Sequence, residues 1–203
     1  MTTFAAIILA AGRGTRFAAA GGHQPSKLLA PWLGQPLVRN VALAALGSRA
    51  APVVLVTGHE GGAVAQAVAD LPLAVVHNPA YADGLSSTLR AGLAALPPSC
   101  PGCVVLLADM PGVTSAIVDA LIAGAAAHQS PDAVVPMRDG RRGNPVLLGR
   151  SLFESAATLT GDTGARHLLR GPSLRVIEVP IDDDAILADV DLPEHLRPVA
   201  ARL

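Results

Sequence analysis

The chain lacks an excess of charge of either sign. Fifteen basic residues stand against sixteen acidic ones in 203 positions, a net charge of −1. No broad basic field is therefore available to hold a nucleic-acid backbone. Long apolar runs are also missing: the stretch from Phe4 to Ala11 falls far short of the ~20 residues that span a bilayer. No lysine or arginine precedes that run and Arg13 follows it closely, a poor match to a secretory signal. These absences argue against nucleic acid and membrane as partners and leave the cytoplasm as the expected location. Charged residues are scarce at 15% while hydrophobic ones reach 51%, which excludes disorder and a charged coiled coil. A chain of this size buries roughly 70% of its unfolded surface, and with no repeat or linker to divide it, one domain over residues 1–203 is expected.

Cysteine is nearly absent. Cys100 and Cys103 form a CxxC in a proline-rich turn before a strand-like run, whereas a redox pair opens a helix whose dipole lowers the thiol pKa. No second pair completes a zinc site. The six histidines show no HxxxH spacing and no serine sits in a GxSxG elbow, so neither a zinc hydrolase nor a serine hydrolase is supported.

What the chain does have is a run of apolar, β-rich segments: Ala5–Leu9, Val53–Thr57, Leu73–His77, Cys103–Leu107, Ala133–Pro136, Val146–Leu148 and Leu174–Val179. Most are continuously apolar, as strands buried on both faces are. Helical patterns separate them: Pro36–Leu46, closed by Gly47, then Gly61–Ala69, Ser86–Leu96, Thr114–His128 and Thr163–Leu169. Ser86 or Ser87 and Thr114 are the expected N-caps of the third and fourth. This alternation is that of βαβ units around a largely parallel sheet, an α/β fold. Two stretches break the rhythm, the glycine-rich loop Ala11–Leu33 and the arginine-rich loop Arg138–Gly143. Both follow strands and are expected at the carboxyl edge of the sheet, where open α/β folds bind ligands.

The first of these opens with Leu9-Ala10-Ala11-Gly12-Arg13-Gly14-Thr15-Arg16. Glycines there let backbone amides approach a phosphate. No Gly-Lys-Ser/Thr closes a Walker loop, and Phe17 stands where the third glycine of a dinucleotide fingerprint belongs. The loop leads to Lys27, the only lysine beside fourteen arginines. In so arginine-biased a chain a lone ammonium, compact on a flexible stem, is a chosen residue suited to a moving phosphate charge. Asp109 ends the run Val104–Leu107, placed to hold a divalent cation that bridges phosphate oxygens. Asp191 either joins it or caps the last helix. Arginines from Arg138 to Arg142, and Gly161–Arg166 beyond, suit an anionic substrate.

Taken together, Leu9–Arg16 with Lys27-Leu28-Leu29, Gly84–Arg90, Leu107–Pro111, Gly143–Val146, Gly161–Arg166 and Asp189–Glu194 resemble, in order along nearly the whole chain, the motifs of the MobA-like nucleotidyltransferases. The likeness is greatest to the molybdenum cofactor cytidylyltransferase branch, since guanylyl relatives tend to carry Gly-Gly at Ala10-Ala11. The resemblance implies a Rossmann-like three-layer α/β sandwich with a mostly parallel central sheet. It also implies transfer of CMP from CTP to molybdopterin, with Mg²⁺ required and pyrophosphate released, and a molybdenum hydroxylase as a further partner. Carried over by position, Leu9, Ala10, Ala11, Gly12 and Gly14 line the nucleotide. Asn78, Ser87 and Thr88 approach it, Arg16 and Lys27 hold the triphosphate, and Asp109 and Asp191 bind the metal. Phe17 and the long stretch Ala18–Ser26 depart from the pattern, as do Leu192 and His195 beside Asp191. Alternatives are another NTP, GTP above all, with another phosphorylated small molecule, a non-catalytic cofactor-delivery module, or a nicotinamide oxidoreductase.

Overall fold

A computed structural model describes residues 3–22, 26–129, 131–171 and 173–196. In chain order the elements are β1 (Ala5–Ala10), α1 (Thr15–Ala19), β2 (Pro31–Trp32), β3 (Gln35–Pro36), α2 (Leu37–Leu46), β4 (Val53–Thr57), α3 (Gly61–Gln66), β5 (Ala74–His77), α4 (Leu85–Ala94), β6 (Gly102–Leu107), α5 (Ser115–Ala127), β7 (Ala133–Arg138), β8 (Arg141–Arg142), β9 (Val146–Gly149), α6 (Phe153–Ala157) and β10 (Val176–Pro180). The main sheet runs β10-β7-β9-β6-β1-β4-β5, with β8 paired to β7. Only β9 and the short β8 run against the rest. This is the expected α/β sandwich with a mostly parallel sheet.

Side chains alternate across a strand, and in β1 both sets are buried. Ala6, Ile8 and Ala10 face a layer that includes Val38, Val41, Val118 and Leu121 of α2 and α5. Ala5, Ile7 and Leu9 face Leu89 of α4 and Ala156 of α6. Two apolar faces explain why the run reads as continuously hydrophobic. Each Ile or Leu buried this way contributes about 1.5–3 kcal/mol before chain entropy is charged against it. α5 buries Ile117, Val118, Leu121, Ile122 and Ala125 on one stripe, and Thr114 caps it by accepting a hydrogen bond from the Ile117 amide at 3.4 Å.

Three expectations are corrected. The cap at α4 is Gly84, with no side-chain bond to the helix amides; the Ser87 hydroxyl instead donates backward to the Ala80 and Gly84 carbonyls, both at 2.8 Å. The segment expected as a helix from Thr163 is a 3-10 turn over Ala165–Arg170, too short and without a side-chain cap to sustain an α-helical ladder. The arginine-rich loop from Arg138 is a tight hairpin, with Met137 opposite Arg142 and Arg138 opposite Arg141. The glycine-rich loop holds α1 and a 3-10 turn at Lys27–Leu29, and its residues 23–25 lie outside the described residues.

Candidate active site

β1 and β6 lie side by side and parallel, Leu9 opposite Leu107, so the segments leaving both strands start from one edge. A cleft of about 490 Å³ opens there, lined by Leu9, Ala11, Gly12, Gly14, Lys27, Thr88 and Asp109 among others. Its size suits a nucleotide-sized ligand. Backbone bonds hold its rim: the Ala108 amide donates to the Leu9 carbonyl at 3.1 Å and the His59 amide to the Ala11 carbonyl at 3.2 Å.

Gly14 joins the loop to the lysine. Its φ of +61° is left-handed, and a Cβ there would stand 2.9 Å from Lys27 Cβ, so any larger residue is strained twice over. Buried Ser26 caps the turn that carries Lys27, its Oγ accepting from the Leu28 amide at 3.3 Å. Thus aimed, the Lys27 ammonium lies 2.7 Å from Asp109 Oδ2 and 3.4 Å from Asp191 Oδ1. Arg16 extends the chain of charges, 3.0 Å from the other Asp191 oxygen. The Val190 amide donates to the Asp109 carbonyl at 2.9 Å, which ties the two acid-bearing segments together. Partial burial pushes the Asp191 carboxyl up, and the Lys27 charge with hydrogen bonds from Arg16 and Lys27 outweighs it, leaving this group ionised below the usual aspartate range.

The two carboxylates that converge on this ammonium bring hard oxygen donors of the kind that suit Mg²⁺ or Mn²⁺. Among the described residues no group of three or more His, Cys, Asp and Glu gathers to hold a metal. Such a cation therefore needs further oxygens from substrate and water, the usual habit of Mg²⁺ at phosphates.

Comparison with known proteins fits this geometry. Residues 6–178 match the family described as the MobA-like NTP transferase domain. The chain belongs to that family. The chain is 32% identical to the nicotine blue oxidoreductase of Paenarthrobacter nicotinovorans, over 94% of its own length and 93% of the relative's. It is 26% identical to the molybdenum cofactor cytidylyltransferase of Escherichia coli K12, over 96% and 94%. Among solved structures, Rv0371c of Mycobacterium tuberculosis H37Rv superposes with a TM-score of 0.82 at 26% identity, covering 96% of this chain and 95% of that one. A structure of Rv0371c in complex with manganese superposes at 0.73, with 26% identity and 90% of each chain covered.

Several anticipated residues are not among those that line the cleft. Ala10 turns its side chain into the core on the α2 side. Asn78 and Ser87 are buried, and the Asn78 amide donates to Ser87 Oγ at 2.9 Å and Thr88 Oγ1 at 3.2 Å while its oxygen accepts from the Ala80 amide at 3.0 Å. Together these bonds tie the 78–84 loop to the first turn of α4. Arg16 and Asp191 reach the cleft through Lys27. The Asp191 side chain does not cap the last turn: it pairs with the two cations, while its amide donates to His195 Nδ1 at 3.3 Å. Unassigned in the sequence, Tyr81 and Asp162 also line the cleft, Tyr81 with the Arg13 guanidinium 5.8 Å from its ring centre. That Tyr81 is the only tyrosine, in the turn before a glycine-capped helix, is the one signal that marks it. Cys100 and Cys103 are free and buried at the opposite end of β6, and burial, then the neighbouring Cys100, pushes the Cys103 thiol up, away from thiolate chemistry.

Proposed function

We propose that this protein transfers CMP from CTP to molybdopterin and releases pyrophosphate. The observation that carries the reading is the 2.7 Å meeting of Lys27 and Asp109 on the wall of a cleft that the glycine loop also lines. The 26% relative named a molybdenum cofactor cytidylyltransferase and the Ala10-Ala11 pair support the choice of CTP and acceptor. In this reading Leu9, Ala11 and Thr88 border the nucleoside, Ala10 contributes backbone only, and Asn78 and Ser87 shape the loop beside it. Backbone amides from Gly12 to Gly14 face the phosphates, and Arg16 and Lys27 hold the triphosphate. Asp109 and Asp191 hold Mg²⁺, which when bound neutralises charge on the phosphate oxygens.

An oxygen of the acceptor phosphate bonds to the α-phosphorus while the bond to the bridging oxygen breaks, and that oxygen departs with the electron pair on pyrophosphate. The acceptor is already ionised at neutral pH, so no general base is needed, and the residues contribute position and countercharge. Lys27 exchanges its carboxylate partners for phosphate oxygens as the triphosphate enters. The reaction belongs to the cytoplasm, with a molybdenum hydroxylase as recipient of the product.

The test is Mg²⁺-dependent pyrophosphate release from each of the four NTPs, with and without molybdopterin. CTP with molybdopterin is expected to turn over fastest. Release with GTP in its place moves the protein to the guanylyl branch, and no release from any NTP refutes the reading. A second reading is favoured by the 32% relative named an oxidoreductase: reduction of an aromatic heterocycle by a nicotinamide cofactor. NADH or NADPH consumption with such an acceptor, in the absence of any NTP, tests it. Phe17 at the place of the third fingerprint glycine speaks against that cofactor.

A further inference from the structure

Phe17 belongs to α1, a five-residue helix whose other members are exposed, yet it is only 1% exposed itself. Its ring packs with Ala30, Leu37 and Val190 in a small cluster separate from the two main cores, with Trp32 and Leu196 against it. The chain closes tightly over the ring: a Cβ at Gly22 would stand 2.1 Å from it, and the Gly22 amide donates to the Phe17 carbonyl at 2.9 Å. The cluster collects the segments that carry the charged groups. Phe17 follows Arg16, Ala30 ends the turn begun by Lys27, and Val190 precedes Asp191. The Arg16–Asp191 pair holds its two segments weakly, because the Arg16 side chain is 81% exposed and exposed pairs are easily exchanged. Apolar burial is the stronger constraint.

We infer that Phe17 is a positioning residue: through Val190 it fixes where Asp191 stands relative to Lys27 and Asp109, and so sets the affinity of the site for its divalent cation. This inference rests on the proposed nucleotidyl transfer with Asp191 as a cation ligand. It assigns a role to the residue by which the loop departs from the family signature.

A double-mutant cycle on the full chain tests it, with Mn²⁺ affinity read by electron paramagnetic resonance in the presence of a non-hydrolysable CTP analogue. Phe17→Ala is expected to weaken Mn²⁺ binding about tenfold or more, as loss of a group supporting a ligand does. Added to Asp191→Asn it changes binding less than about twofold, because the ligand it positions is gone. Phe17→Met recovers most of the loss. Val190→Ala, which keeps the amide bond to Asp109, repeats the pattern from the other side of the contact and carries the cycle if Phe17→Ala does not fold; circular dichroism and the fluorescence of Trp32, the sole tryptophan, report folding. An equal factor for Phe17→Ala in the parent and in the Asp191→Asn background, with Asp191→Asn itself impaired, overturns the positioning role and leaves the proposed reaction intact. Unchanged Mn²⁺ affinity in Asp191→Asn alone overturns both the ligand assignment and the inference.

Discussion

At the carboxyl edge of β1 and β6, Lys27 is shared between Asp109 and Asp191, with Arg16 beyond. At the carboxyl edge of β7 and β10, Arg138 is shared between Asp182 and Asp184. Each centre is one cation between two acids, and both cations, Lys27 and Arg138, stand on loops expected at the ligand-binding edge of the sheet. Their surroundings separate them. The Lys27 side chain is 10% exposed and borders a cleft, whereas Asp182 is wholly exposed and Asp184 78% exposed. A cation between acids on a concave wall can hand its partners to an entering ligand. The same arrangement on open surface pins a hairpin to the segment after β10 and does little else.

Substitutions can break this comparison. Asp109→Ala and Lys27→Ala are expected to lower pyrophosphate release about a thousandfold or more while circular dichroism stays unchanged; retained turnover in Asp109→Ala would remove the metal assignment. Arg16→Ala should raise the KM for the nucleotide about tenfold, the loss of one charge-assisted hydrogen bond, with a smaller change in kcat. Arg138→Ala, in contrast, should leave turnover within about twofold and lower the melting temperature by a few degrees at most. A larger loss of turnover would show that the two clusters are not different in kind.

The smallest effect concerns a third pair, outside both clusters. Arg39 forms a two-pronged contact with Asp70, at 2.6 and 2.7 Å, and its hydrogen bonding holds the Asp70 carboxyl down at about 2. A folded-state value below the unfolded one, near ~4, means a contribution complete above that pH and lost as pH falls toward the folded value. The melting-temperature difference between the parent and Asp70→Asn should therefore be full at neutral pH and shrink between about pH 4 and 2. A difference that grows on acidification contradicts the assignment.

Much of this was legible from residue patterns. The strand Val53–Thr57 matches its expected bounds and the others fall within a few residues, because apolar runs leave a strong trace, both in the buried β1 and β4 and in the more exposed edge strands β5 and β10. The reversal of β9 was not legible: a strand's hydrophobic pattern is the same in either direction, and only its pairing with β6 and β7 reveals the orientation. Lys27 and Asp109 stood out by rarity and by place. Asp191 remained divided between cap and ligand, since its contact with Lys27 spans 164 positions. Phe17 reads in the sequence only as a departure from a motif, and its meaning lies in Val190, which no local rule connects to it.

That 164-residue span also governs when the charged cluster beside the cleft can assemble. Lys27 leaves the first strand's loop, Asp109 the middle of the sheet and Asp191 the stretch beyond its last strand, so the full set of charges draws on segments from both ends of the chain. During synthesis the early segments emerge long before their distant partner. The charged cluster is thereby completed only once its sheet is built, and any partial opening that frees the 187–196 segment removes Asp191 from Lys27 and Arg16.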